Sequence, residues 1–248
     1  MSDPATAADL VTAADELRRS LRPLRFEPPV THVYNPLEYA WDAHRRYLAK
    51  AQPPTCEVLF LGMNPGPWGM AQTSVPFGEV ATVREYLDIS VPPVELGHAH
   101  PKRPIEGTQC TRSEVSGRRL WGLFRERFAN ADDFFHRHFV ANYCPLVFME
   151  ATGRNRTPDK LPAAERAELD ACCDRHLAES LTVLRPSFAV GVGVYAENCL
   201  KRVIEQRLDH AGELPRVLRI LHPSPASPAA NRGWAEAASK TLVDQGVW

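Results

Sequence analysis

The sequence predicts an α/β fold: one domain in three layers, with a central four-stranded parallel sheet flanked by helices. Three observations carry that reading. Short apolar runs of strand length occur at 56–61, 139–143, 188–192 and 216–221. Segments with helical spacing separate them, as crossovers between parallel strands require. With 248 residues, 44% hydrophobic and 24% charged, the chain can bury one substantial core.

Each element has its own signal. Asn35-Pro36 offers an N-cap and a first-turn proline, and Leu37, Trp41, His44 and Leu48 then form one face of a single helix. The run Cys56–Leu61 is the first strand. Glu79–Leu87 reads as a helix, followed by a proline-rich irregular stretch to about Gln109. Ser116 is placed to cap a helix through Leu120, Trp121, Phe124 and Phe128. The second strand, Phe139–Tyr143, stops before Pro145. Pro162 opens a long helix with Leu169, Cys173, Leu177, Leu181 and Leu184 on one side. The third strand, Phe188–Val192, leads into a helix through Leu200 and Ile204. The fourth, Arg216–Leu221, ends in HPSPASPAANRGW, and a last helix runs to about Val243.

The loop after the first strand is unusual. Seven of the seventeen residues from Gly62 to Gly78 are Gly or Pro. Pro65, Pro67 and Pro76 stiffen the path, whereas Gly66 and Gly69 let backbone approach a neighbour closely. Such a loop holds one shape around something.

In open parallel sheets, ligands bind outside the carboxyl ends of the strands. Asn64, Asn142 and His222 follow or end three different strands, so the topology predicts that they meet on one rim. Taken singly, Asn64 is a turn former, His222 a structural residue before proline and Phe77 core packing. Asn142 is more telling, because an amide inside an apolar run must find several hydrogen-bond partners. As a set, two amides, a histidine and an aromatic suit recognition of a nucleobase and its departure as an anion. Amides are poor general bases, but Asn and His can orient water and stabilise negative charge, and Phe77 can stack on a planar ring.

Other classes are excluded or unsupported. The glycine spacing fits neither the dinucleotide fingerprint nor the P-loop, and no zinc-protease or nucleophile-elbow motif occurs. None of the six cysteines forms a C-x-x-C pair, so their spacing gives no support to zinc or an iron–sulfur cluster. No apolar run reaches membrane length, and the N-terminus lacks the features of a secretory signal. Cys56 and Cys144 lie in strand-like runs and read as small buried apolar residues, and a reducing intracellular compartment is the simplest reading. The net charge of −1 neither announces nor excludes a nucleic-acid partner.

GMNPGPWGMAQTSVPFGEV (62–80), NYCPLVFM (142–149) and HPSPASPAANRGW (222–234) resemble the single-strand-selective monofunctional members of the uracil-DNA glycosylase superfamily. HPKRP (100–104), SEVSGRRLWG (113–122) and GRNRTP (153–158) are similar to further segments of that family, in the same order. The resemblance spans the chain from about Asn35. It implies a glycosylase domain over 35–248, preceded by a partly helical N-terminal extension over 1–34. It also implies the uracil-DNA glycosylase fold and a monofunctional hydrolase that removes uracil, and some 5-substituted uracils, from single-stranded and duplex DNA. By it, Asn64 would position the attacking water and His222 would stabilise charge at uracil O2. Phe77 would stack on the flipped base and Asn142 would read its Watson–Crick edge. Met63 and Gly66 would border the C5 side. Pro223, Ser224, Pro225, Ala226, Ser227 and Pro228 would form the wedge that enters the DNA stack. No matched lysine is placed to form a Schiff base, so an abasic site is the expected product. Lys102, Arg103, Arg112, Arg118 and Arg119 are candidates for phosphate contacts. The expected protein is a monomer working in the nucleoid or cytoplasm of a bacterium, or in a eukaryotic nucleus.

The sequence departs from the family at two positions. Ser74 stands where Gly is expected, and Ala226 where vertebrate members carry a large basic side chain. An Ala cannot fill the space left by an extruded base, which predicts weaker work on well-paired duplex. Two alternatives stay open on sequence alone: a superfamily glycosylase acting mainly on xanthine or hypoxanthine, and an inactive module that binds damaged bases.

Overall fold

The computed structural model describes residues 5–208 and 213–248. Residues 1–4 of the expected N-terminal extension lie outside it. The extension is helical over α1, Ala7–Leu21, whose Leu10, Leu17 and Leu21 are buried in the main core against α8, Ala163–Leu184.

The main sheet has four parallel strands: β2 (Val58–Gly62), β3 (His138–Asn142), β6 (Phe188–Val192) and β7 (Arg216–Ile220), in the order β3-β2-β6-β7. Its sequence explains the order. Every residue of β2 is buried, as a central strand covered on both faces demands. The edge strand β7 carries Arg216 and Arg219 and is mostly accessible, which blunts an open edge. Helices flank the sheet: α9 (Val194–Arg207) packs on β6 and β7 and against α8, while α10 (Trp234–Asp244) packs on α6 (Val115–Arg127) and β7. An aromatic cluster of Phe60, Trp121, Phe124, Phe134 and Phe135 joins β2 to α6 and α7 (Ala131–Arg137).

Several sequence expectations shift. The four strands fall within two residues of their predicted bounds, and the third coincides with its prediction. The single helix expected after Asn35 is two, α2 (Pro36–Tyr39) and α3 (Trp41–Leu48), because Ala40 leaves helical geometry at φ −129°, ψ 37°. Asn35 does cap the first, accepting from the Leu37 N–H at 3.1 Å. The helix expected to Leu87 ends at Glu85 (α5, Val80–Glu85), and Asp88 turns the chain with φ +54°. Ser116 does not cap α6: Glu114 occupies the cap position and Ser116 lies inside the first turn. A small antiparallel sheet was not foreseen. It joins β1 (Val30–Tyr34), β4 (Val147–Glu150) and β5 (Asn155–Arg156) in the order β1-β4-β5.

Candidate active site

Register brings the carboxyl ends of the main strands level. Gly62, the last residue of β2, pairs with Asn142, the last of β3, and Val192 of β6 pairs with Ile220 of β7. The chain leaves β2 into Met63-Asn64 and β7 into Leu221-His222. A cavity of about 310 Å³ opens there, lined by Met63, Asn64, Gly66, Phe77, Asn142 and His222, together with Ser224. The six residues assigned to water, base and leaving group therefore share one space, although 159 positions separate the first from the last in the chain numbering.

Each side chain is held in a defined pose. Asn64 Nδ2 donates to the carbonyls of Pro65 and Leu146 at 3.4 and 3.3 Å, which leaves its Oδ1 as the acceptor for the cavity. Asn142 Nδ2 meets the Met70 sulfur at 3.3 Å, while its buried Oδ1 has no partner. A Cβ on Gly62 would come within 2.3 Å of both Asn142 Oδ1 and Phe77 Cε2, so glycine is what lets the amide and the ring approach. Phe77 is buried and left-handed at φ +53°. Its ring centroid lies 6.2 Å from that of His222. Burial lowers the His222 pKa, which keeps the imidazole neutral at pH 7 with an N–H to donate.

The loop from Gly62 to Val80 is as fixed as its composition predicts. Tyr39 donates to the Ala71 carbonyl, Gln72 donates to those of Pro67 and Pro104, and Trp121 donates to that of Pro76. Ser74 caps the short helix α4 (Met70–Thr73) in left-handed geometry, φ +59°, where Gly is the least strained residue. Its hydroxyl donates to the Pro36 carbonyl at 3.1 Å and its own carbonyl meets His44 Nδ1 at 2.7 Å. The serine side chain thus exchanges conformational ease for one buried hydrogen bond, that of its hydroxyl.

The loop after His222 is also braced. Pro225 and Ala226 are exposed at its tip, Pro228 is exposed beyond them, and Ser227 is half-buried. Arg119 is not a free cation: it donates to the Pro223 carbonyl at 3.1 Å, to that of Ser224 at 3.4 Å and to Asn231 Oδ1 at 2.8 Å. Asn231 Nδ2 in turn donates to the Pro225 carbonyl, and Trp234 Nε1 to that of Leu221. Among the described residues, Lys102, Arg103, Arg112 and Arg118 form no ion pair with a carboxylate. The Arg103 and Arg112 guanidinium groups lie over the Trp68 ring, 4.9 and 4.5 Å from its centroid.

Sequence reasoning gave no role in the site to six of the residues that line the cavity, among them Met70, Glu114 and Asn155. Asn155 Nδ2 donates weakly to the Pro65 carbonyl at 3.4 Å and its buried Oδ1 is unpaired. Glu114 packs its carboxyl against Gly66 and Gly69, where a Cβ would meet Oε2 at 2.4 and 2.1 Å. Burial, with Glu79 nearby, lifts its pKa to about 7. Glu114 and Asn155 both stand inside segments noted only for their resemblance, and nothing in their local pattern marks a buried carboxyl. Among the described residues no group of three or more His, Cys, Asp or Glu could hold a metal ion.

Comparison with known proteins gives concordant findings. A family model described as the uracil DNA glycosylase superfamily matches residues 49–242. A Mus musculus protein named single-strand selective monofunctional uracil DNA glycosylase is 46% identical over 233 residues, 93% of this chain and 81% of its own length. A Bos taurus protein of the same name is 45% identical over 235 residues, covering 94% and 85%. The crystal structure of wild-type SMUG2 from Pedobacter heparinus superposes with a TM-score of 0.65 at 17% identity, over 95% of this chain and 97% of that one, and shares the fold.

Proposed function

The chain belongs to the uracil DNA glycosylase superfamily, and on that premise we propose that it hydrolyses the N-glycosidic bond of uracil in DNA, beginning base excision repair. The observation that carries this reading is the buried, unpartnered Oδ1 of Asn142, which faces the same cavity as Asn64, Phe77 and His222. An unpaired acceptor in a closed site costs about 1–3 kcal/mol. The N3–H of a flipped uracil removes that cost, and cytosine, with no N–H at N3, does not.

The chemistry follows from the poses. Uracil stacks on Phe77, with Met63 and Gly66 along its C5 side, where some 5-substituents fit. The C1′–N1 bond breaks with its electron pair passing to the base, and charge gathers at O2. The neutral His222 imidazole donates a hydrogen bond there, inside a site shielded from water, where such a donor is most effective. The sugar takes oxocarbenium character. Asn64 Oδ1 accepts a hydrogen bond from the water that adds to C1′, and the water's second proton passes to solvent. The uracil anion takes a proton from solvent in turn, and the products are free uracil and an abasic site. No step requires a metal or a cofactor.

DNA is bound as a single strand or a duplex by a monomer, with Lys102, Arg103, Arg112 and Arg118 near backbone phosphates and residues Pro223 to Pro228 as the wedge. All six cysteines are free, which suits a reducing compartment that holds DNA, whether nucleoid or nucleus. No helix among the described residues is long and apolar enough to cross a membrane. The test is base release from a uracil-containing single-stranded oligonucleotide in EDTA, with xanthine and hypoxanthine oligonucleotides in parallel. Uracil release followed by strand scission only on alkali treatment is expected. Release of the purines alone, or of nothing, overturns the proposal.

A further inference from the structure

The cavity contains more buried acceptors than uracil can satisfy. Asn142 Oδ1, Asn155 Oδ1 and Glu114 Oε2 are all buried without a partner. A uracil attached through N1 brings one N–H and two carbonyl oxygens. Its single donor satisfies one of the three, and the resemblance gives that one to Asn142. A charged Glu114 would then face lone pairs. Uncharged, it has an O–H to give, and the base has carbonyl oxygens to receive it.

We propose that Glu114 is a further base-reading residue of this site, working in its uncharged form as a hydrogen-bond donor to an exocyclic oxygen of the bound base. The inference rests on the glycosylase reading above. Two structural facts and one electrostatic argument support it. Glu114 lines the same cavity as Asn142 and His222. Its carboxyl is let in by glycines, since a side chain at position 66 or 69 would occupy its space. The departing base also becomes an anion, so a carboxylate in a water-poor pocket would oppose the very charge that His222 stabilises, whereas a neutral carboxyl would not.

The surroundings favour the neutral form. Glu79, at the start of α5, faces Glu114 and accepts from the Thr82 N–H at 3.0 Å and its hydroxyl at 3.1 Å. Across the cavity His222 is uncharged at pH 7. The nearby cations are engaged elsewhere: Arg112 over Trp68, Arg118 with the Ser113 hydroxyl at 3.3 Å, and Arg119 with the wedge loop. Burial and Glu79 accordingly hold the Glu114 pKa at about 7. Above that pH the donor is lost and a repelling charge takes its place.

The experiment is the pH profile of kcat/KM from pH 5.5 to 9.5 on a single-stranded uracil oligonucleotide, for the wild type, E114Q and E114A. Because kcat/KM reports the free enzyme, the wild type should fall by about tenfold per pH unit above its inflection. E114Q keeps an N–H donor and cannot ionise. It should lack that alkaline limb and overtake the wild type by pH 9. E114A loses the donor and should be slower at pH 6 by roughly 10–100-fold. An alkaline limb that persists unchanged in E114Q, or a wild-type profile flat through pH 9, overturns the inference and leaves the uracil assignment standing. No uracil release by the wild type at any pH overturns both.

Discussion

On the proposed mechanism His222 gives a hydrogen bond without giving up a proton. Its burial favours that division, because a desolvated imidazole is neutral above its lowered pKa and still carries one N–H. His222→Ala should therefore reduce the single-turnover rate by roughly 10²–10³, as removal of other preorganised donors does. Retention of the wild-type thermal midpoint would show that the loss is chemical, and near-normal cleavage by a folded variant would reject the role. Ser74 poses the opposite problem, a residue whose backbone prefers glycine and whose side chain does not. Ser74→Gly should relieve left-handed strain of about 1–2 kcal/mol and lose a hydrogen bond of about 0.5–1.5 kcal/mol, leaving stability within about 1 kcal/mol of the wild type. Ser74→Ala keeps the strain and loses the bond, so it should cost about 1 kcal/mol, and urea unfolding separates the two variants. At this scale Asn64, Asn142 and His222 were legible because polar residues at the ends of apolar runs stand out. Glu114 was not, because a glutamate at a helix start reads as a solvated cap until the glycines that enclose it are folded around it.

Elements fix what residues can only suggest. The end of β2 is the clearest instance: Gly62 pairs with Asn142 and lies beneath Phe77, and no side chain fits between them. Gly62→Ala should push the amide and the ring apart. A displacement near 1 Å is enough for a loss of roughly 100-fold in kcat/KM, read on the uracil oligonucleotide with circular dichroism as the check on folding. An unchanged rate would mean that the pose of Asn142 is not set by this contact. The stiffness of the Gly62–Val80 loop was readable from its prolines. The break at Ala40 was not, since nothing in Leu37, Trp41, His44 and Leu48 distinguishes one helix from two in line. The small sheet escaped for a similar reason: β5 has two residues, too few to show a period.

For the molecule as a whole, the exposed wedge tip bears on which DNA it opens. Extruding a base costs a few kcal/mol, least from single strands and mismatches, and Ala226 cannot fill the vacated space. Single-strand and U·G substrates should therefore be cleaved faster than U·A. Ala226→Arg should raise the U·A rate more than the single-strand rate, in single-turnover assays at one salt concentration. Equal gains on all three substrates would dispose of the wedge argument. Stability should carry its own pH signature. His44 and His138 are buried and His176 is half-buried, and desolvation lowers their pKa values from 6.5 to about 4. The unfolded chain binds protons on these groups that the folded chain refuses. Their contribution is complete above pH 6.5 and is lost as pH falls toward 4, by on the order of 1–3 kcal/mol for each. The thermal midpoint should drop steeply across that window, and a flat profile from pH 6.5 to 4.5 would count against buried neutral histidines. The parallel sheet itself was the most legible feature, because each of its four strands falls within two residues of a short run rich in apolar residues. The packing of α1 against α8 was not, since a helix face says nothing about which other face will cover it.

The strand order β3-β2-β6-β7 also bears on how the protein is made. The ribosome delivers Asn64, Phe77 and Asn142 well before His222, which follows the edge strand that completes the sheet. On the proposed mechanism a nascent chain thus carries most of the base pocket but not the group that would stabilise the leaving anion. Competence to cut comes with the final strand, when the sheet is complete and the loop beyond it can be fastened by Arg119.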